Sequence, residues 1–451
     1  MCERSSQRRC QSLREPLRTP LWKTNARAVV RSAVGHDGEA PDNTVMTTLL
    51  SAQPTTMPPR VPVLAITGLA LAAFASGISL RVADALLPRL ATEFSISIGQ
   101  ASQVITAFAV AYGVSQLVFG PLGDRYGKYR VIAWACAASC FTSLLCALAP
   151  SHLALMGARL LAGATAAAII PLAMAWIGDA VPYERRQPVL ARFLIGQITG
   201  FAVGVWLGGY AAEHLPWRTP FFAIAAFFLV VAFALHAVRA RLPAEPLRPA
   251  SGEAVLLRTW REFGAVWTKP WARVVLFTVF FEGASLYGPF AFIATHLHLR
   301  FDLSLSTVGA LVMLFALGGL CFALMAQVLV QRLGEVMLVR IGAALMAASL
   351  VAVAFAAAWW WAVPACALMG LGFYMMHNTL QTHATQMAPE RRGAAVASFA
   401  ACFFLGQSVG VGIDGLLLDL TGTATLMLAG ALGVIATAWN FNRQRVLAGR
   451  G

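Results

Sequence analysis

From Val61 onward the chain is a string of apolar runs, each long enough to cross a bilayer and nearly free of charge. Twelve are legible, at roughly 61–86, 99–120, 131–149, 152–178, 189–211, 218–238, 272–297, 305–330, 335–357, 359–386, 394–417 and 423–441. A hydrocarbon core of about 30 Å takes about 20 residues of helix. In lipid a single segment can satisfy its own backbone only as a helix. The composition agrees: 58% of the 451 residues are hydrophobic and 12% are charged, against about 25% charged in an ordinary soluble domain. Too few polar groups exist to cover a globular surface, which excludes a soluble enzyme and a disordered chain. The expected fold is an all-α membrane protein with twelve transmembrane helices.

The runs divide six and six. Residues 1–58 form a polar, basic extension, expected to be disordered; residues 1–60 hold nine basic and five acidic groups. The extension is either a cytoplasmic tail or the product of a start assigned too far upstream, with Met46 or Met57 as the first residue. It lacks the apolar stretch of a secretory signal. Residues 59–238 are expected to form the first six-helix bundle, 239–271 a cytoplasmic linker, 272–442 the second bundle and 443–451 a cytoplasmic tail. With the N-terminus inside, 29 of the 34 Lys and Arg fall on one face, while Arg81, Arg89, Arg218 and Arg300 fall on the other and Arg159 inside a span. This is the positive-inside asymmetry. It accounts for the net charge of +14 without a nucleic-acid partner, and it places both termini in the cytoplasm of a plasma (bacterial inner) membrane.

The halves resemble each other in order. Gly77-Ile-Ser-Leu80 matches Gly283-Ala-Ser-Leu286, Gly127 matches Gly334, and Ala154-Leu-Met-Gly157 matches Ala367-Leu-Met-Gly370. Glu184-Arg-Arg186 matches Glu390-Arg-Arg392, and Phe193-Leu-Ile-Gly-Gln197 matches Phe403-Phe-Leu-Gly-Gln407, followed by Gly200 and Gly410. The separations drift from 206 to 213. Duplicated six-helix halves place a substrate site between them, with access alternating as one rocks against the other.

The eight Cys are scattered, with no CxxC pair and no Cys/His cluster of metal-binding spacing. No phosphate-binding or hydrolytic motif is present. The expectation is therefore no metal, no cofactor and no enzymatic activity. After span 2 the chain reads Gly120-Pro-Leu-Gly-Asp124-Arg125-Tyr-Gly127-Lys128-Tyr-Arg130. Two of its glycines permit a tight turn, and one acid with three bases can latch a neighbouring helix end. A basic loop that merely stops translocation has similar composition.

This loop resembles the G-x-L-x-D-R-x-G-R/K-x-R signature of the major facilitator superfamily. Arg159 and Gly163 in span 4 resemble that family's R-x-x-x-G motif. Gly200, Gly204, Gly208 and Gly209 in span 5 resemble its antiporter motif G-x-x-x-G-P-x-x-G-G, with Val205 in place of the proline. In the second half the loop signature has decayed to Gln327-x3-Gln331-Arg332-Leu-Gly334. The resemblance covers about residues 60–445 and is closest to the drug:proton antiporter and sugar-efflux branch. It implies alternating access, with Gly163, Gly200, Gly204 and Gly208 as packing or hinge positions.

Ionisable groups inside a membrane are costly and usually functional. Counting depth at about 1.5 Å per residue puts Glu282 and Arg159 near the midplane. Burial penalises a charged carboxylate and a nearby guanidinium favours it, so a Glu that exchanges Arg for a proton suits proton coupling. A static Glu–Arg or Glu–Ser pair is the alternative. Asp84 and Arg81 are expected near the outer mouth, sharing a face and pairing, with Pro88 ending the helix. Asp414 also falls toward the outer side. Glu282, Arg159, Asp84 and Asp414 are the proton-coupling candidates. Gln197, Tyr112, Tyr287, His377, Asn378, Gln381 and Gln407 are cavity candidates, offering amides or aromatic faces to a substrate or serving as interhelical glue. The resulting expectation is a monomeric secondary transporter exporting a small molecule (drug-like, sugar or metabolite) by proton antiport. A proton-coupled importer or uniporter of a polar nutrient is the second reading, and a non-transporting membrane sensor the third.

Overall fold

The computed structural model describes residues 63–243 and 255–449, apart from the side chains of 183, 184, 187 and 255–259. The 1–58 extension lies outside the described residues. Every regular element described is helical. Ten stretches are long and apolar enough to cross a membrane. Two of them, of 51 and 59 residues, are each two rods meeting at a glycine with positive φ, Gly334 (φ 67°) and Gly422 (φ 74°). Only glycine takes that conformation cheaply, so each marks a turn, and counting the arms separately gives the expected twelve. They are α1 Val63–Phe94, α2 Ile98–Tyr126, α3 Lys128–Ala147, α4 His152–Ala180, α5 Tyr183–His214, α6 Thr219–Arg239, α7 Pro270–Phe301, α8 305–333, α9 335–355, α10 Trp359–Gln386, α11 392–421 and α12 423–447. Gly127 (φ 90°) turns the chain between α2 and α3, as Gly334 does between α8 and α9.

The buried side chains form two main cores. One is built largely from α1–α6 and includes Phe108, Tyr129, Phe193 and Phe228. The other is built largely from α7–α12 and includes Tyr287, Met346, Met376 and Phe441. The outward faces are apolar, with Phe141, Leu153, Phe233, Leu324 and Leu420 all exposed, as expected of helices that lipid covers.

Within each bundle the same packing recurs. A Cβ on Gly200 would lie 2.4 Å from the Phe74 carbonyl oxygen, and one on Gly406 would lie 2.0 Å from that of Phe280. Gly204 presses on Ile78 as Gly410 presses on Ala284. Gly163 presses on Phe108 as Gly370 presses on Phe315. Helices without side chains at the contact approach to backbone distance. The equivalence runs at a constant separation of 206 to 207 residues. That corrects the register read from sequence: Gly200 pairs with Gly406, not Gly410, and Gly163, not Gly157, is the counterpart of Gly370. The slips are four and six residues, and each keeps a glycine over a glycine, so sequence matching alone does not detect them.

Three local features differ from the sequence reading. Helix α1 does not end at Pro88. The rod from Val63 stops at Arg81, a short 3-10 turn follows at Asp84–Leu86, and Leu87–Phe94 continues with Pro88 in its first turn, where a missing N–H costs nothing. Arg81 and Asp84 are buried, 5% and 2% exposed, beside Val82, on which Gly208 of α5 packs. The linker carries a helix, Val255–Trp267. The last helix runs on through 443–447, within the stretch read as a tail.

The two bundles meet closely at the end opposite the Gly127 turn. A Cβ on Gly99 (α2) would stand 2.0 Å from the Gly415 oxygen (α11), and one on Gly209 (α5) 2.3 Å from the Leu305 oxygen (α8). The Ser306 N–H and hydroxyl donate to the Glu213 carboxylate, and the Ser408 hydroxyl donates to the Thr106 carbonyl at 3.3 Å. At the other end nothing comes within 4 Å of a Cβ placed on Gly120 or Gly393.

Candidate functional site

Arg81 and Tyr287 occupy equivalent places in the two halves, each four residues past the paired Gly77 and Gly283. They meet between the bundles, with the guanidinium carbon 4.2 Å from the Tyr287 ring centre. Arg81 also faces Phe290 at 5.4 Å and Phe201 at 5.9 Å. Its Nη1 donates to Asp84 Oδ2 at 3.3 Å, three residues on, as expected for a pair sharing one helical face. A narrow cleft lies here, lined from α1 by Arg81, from α5 by Phe201 and Val205, and from α7 and α8 by Tyr287, Phe290 and Phe315 among others. Val205, standing where the antiporter motif has proline, is thus part of the cleft wall.

Arg159 is buried in the first bundle, 1% exposed. Its Nη1 donates to the Ser79 carbonyl at 2.7 Å and its Nε to that of Val104 at 3.4 Å, and it stands over the Phe108 ring at 4.2 Å. It thereby ties α4 to α1 and α2. Glu282 is fully buried and bonds neither Arg159 nor a serine. Its Oε2 lies 2.8 Å from His377 Nδ1 on α10, while its Oε1 has no hydrogen-bond partner. Sequence reasoning placed both residues on the candidate roll without pairing them. The His377 ring stacks on Phe373 at 4.8 Å and packs against Phe403 at 4.7 Å. Tyr287 in turn touches Phe373 and Phe403 edge-on at 5.4 and 5.5 Å. A continuous aromatic layer therefore joins the Glu282–His377 pair to the Arg81 end of the cleft. Phe373 is not singled out by the sequence, and Arg81 only as the partner of Asp84. The position of Arg81, equivalent to Tyr287 in the repeat, is the signal that points to it.

The other candidates scatter. Tyr112 is buried against Phe108 and Phe404, 4.4 Å from the latter. Gln407 is buried with its Oε1 unpartnered, whereas Gln197, Asn378 and Gln381 are half-buried. In the packing register Gln407 stands opposite Phe201, not Gln197: a Cβ on Gly283 touches the Gln407 nitrogen where one on Gly77 touches that of Phe201. Asp414 lies against Gly288 of α7, outside the cleft lining. Gly196, Gly200, Gly204 and Gly208 seat α5 on Ala70, Phe74, Ile78 and Val82 of α1, one contact per turn.

At the loop after α2, Lys128 reaches Asp179 near the end of α4 and lies 3.7 Å from Asp124. Arg130 stacks on Trp134 at 4.5 Å and Arg125 on Tyr126 at 5.2 Å. Lys128 thus pairs with the end of α4, within the first bundle. Among the described residues no cluster of His, Cys, Asp or Glu is placed to hold a metal ion.

Comparison with known proteins agrees with this architecture. The chain is 27% identical over 344 residues to the uncharacterized MFS-type transporter YceJ of Bacillus subtilis strain 168, covering 74% of this chain and 84% of that one. It is 29% identical to the multidrug export protein EmrB of Escherichia coli strain K12 over 174 residues, 38% of this chain and only 34% of EmrB. Its fold superposes on the POT family transporter PepTSo with a TM-score of 0.69 at 16% identity, covering 87% of this chain and 99% of that one. The family model described as Major Facilitator Superfamily matches residues 69–411 and, overlapping, 283–449. The chain belongs to the Major Facilitator Superfamily of membrane transporters.

Proposed function

We propose that this transporter exports a small molecule in exchange for protons by alternating access, with both termini in the cytoplasm. The observation that carries the reading is the Glu282–His377 pair. It is a fully buried carboxyl with one oxygen on an imidazole and the other unpartnered, joined through aromatic rings to the inter-bundle cleft. An uncompensated charge buried there is costly, so the pair holds its proton or loses it according to what surrounds it. Histidine is suited to that exchange because small changes in surroundings move its charge across physiological pH. Coupling needs no direct contact between proton and substrate. It requires that each bind the two states with different affinity. A proton entering down 100 mV supplies about 2.3 kcal/mol, and a pH gradient adds to it.

The gate assignments follow. The Gly99–Gly415 and Gly209–Leu305 contacts close the outer end, and Lys128 with Asp124, Asp179, Arg125 and Arg130 forms the cytoplasmic latch. The export direction draws support from similarity to EmrB. The importer or uniporter reading draws support from Val205, which removes the proline of the antiporter motif.

The test uses everted vesicles containing the protein, a pH-sensitive dye and a compound panel, with Glu282→Gln and His377→Gln beside the wild type. A compound that dissipates the gradient only in the wild type supports antiport. Equal proton movement in all three, or transport of a labelled nutrient without proton movement in any, refutes it.

A further inference from the structure

The buried charges of the first bundle do not balance. In the first bundle two buried guanidinium groups, Arg81 and Arg159, act electrostatically on one buried carboxylate, Asp84. On the other side of the cleft Glu282 bonds His377. Arg159 spends its hydrogen bonds on backbone carbonyls within its bundle. Arg81 is different: it lines the cleft, bonded to Asp84 and set against the Tyr287 ring. It is the one charged side chain in a lining otherwise made of aliphatic and aromatic groups. The first bundle thus buries one more guanidinium than carboxylate, and Arg81 is the guanidinium that faces the cleft. The rest of the wall rewards an apolar body.

We propose that the cleft between the bundles takes a lipophilic monoanion, a single carboxylate on an aromatic or aliphatic body, with its head on the Arg81 guanidinium and its body between Phe201, Phe290 and Phe315. A guanidinium matches a carboxylate in plane and can donate two N–H bonds to it. Its stacking on Tyr287 fixes the plane of the fork, so little side-chain freedom is lost on binding. Glu282 lies outside the lining, so its carboxylate does not oppose the ligand at contact distance. This inference rests on the transport reading only in supposing that the cleft holds the transported molecule.

The experiment is binding to the full-length protein in nanodiscs of neutral phosphatidylcholine, with 1-naphthoate, the isosteric uncharged 1-naphthamide, and tetraphenylphosphonium as a lipophilic cation. Wild type is compared with Arg81→Lys and with the double variant Arg81→Gln/Asp84→Asn, which removes both charges and leaves no unpaired carboxylate. Size-exclusion elution identical to wild type qualifies each variant. The expected result is saturable naphthoate binding at least tenfold tighter than naphthamide, a preference kept by Arg81→Lys in weaker form and abolished in the double variant. Equal affinity for acid and amide, a preference that survives in the double variant, absence of saturable naphthoate binding, or displacement of naphthoate by tetraphenylphosphonium each overturns it. The two readings fail separately. An acid preference that tracks Arg81 without proton movement in vesicles removes antiport and leaves the anion site. Proton movement driven by cations alone does the reverse.

Discussion

Replacing Gly99 by alanine should favour the conformation in which the end of the molecule bearing Gly99 is open. The new Cβ would stand 2.0 Å from the Gly415 oxygen and 3.1 Å from its carbonyl carbon. The obstruction is helix backbone, which cannot rotate away as a side chain can. The helices must part by roughly an ångström, and overpacking of this kind costs about 1–3 kcal/mol. Alanine also raises helix propensity by about 1 kcal/mol over glycine, but this applies equally whether the bundles are together or apart, so it cancels from the equilibrium. A bias of about 1–3 kcal/mol shifts the ratio of the two conformations by roughly 5–150-fold. The assay is the rate at which an impermeant maleimide labels a cysteine placed at Met313, in the cleft lining, in a background with all eight native cysteines replaced. Labelling from the Gly99 face should accelerate by that factor until the open form dominates. Gly157→Ala serves as the control, because no atom lies within 4 Å of its Cβ, and it should change nothing. Unaltered labelling in Gly99→Ala, or equal acceleration in Gly157→Ala, would refute the role assigned to this contact.

Two further outcomes follow from the packing. Trp217 is 1% exposed and meets Phe94 and Phe221 edge-on at 5.4 and 6.1 Å; Trp217→Ala should cost about 3–5 kcal/mol, read as a fall in the thermal midpoint in detergent. Lys128→Ala removes a pair whose acids, Asp124 and Asp179, have side chains 36% and 64% exposed, so stability should change by less than about 1 kcal/mol. Its larger effect should be on transport rate, measured in the same vesicles at low and high salt.

Most of the helical plan is legible in the sequence because a membrane enforces it: lipid demands long uncharged runs, and glycines mark the turns at Gly127 and Gly334. What depends on which helix faces which is less legible. Glu282 and His377 lie 95 residues apart on α7 and α10, and nothing local to either announces the pairing. Arg159 was the natural partner by depth, but it is occupied with carbonyls in the other bundle. Pro88 reads as a helix end because proline lacks the N–H that a helix interior needs. The proline instead opens the next helical segment, and the chain runs on to Phe94. The repeat is legible, and its register holds at Gly77/Gly283 and Gly127/Gly334 but slips by four and six residues elsewhere, where glycine still falls over glycine.

The contact between Arg81 and Tyr287 says something about how such a chain can arise. In a pair of identical, unjoined six-helix subunits related by a dyad, the residue at this position would face its own copy. Two arginines would hold like charges close together with little water to screen them, a repulsion that grows as the dielectric falls. Two tyrosines would leave no charge at all. Fusion of two copies into one polypeptide lifts that restriction, because each copy then mutates independently. One can keep a cation while the other supplies the ring that cradles it. The chemistry at the centre of this protein is therefore available to a heterodimer or a single chain, and closed to a symmetric homodimer.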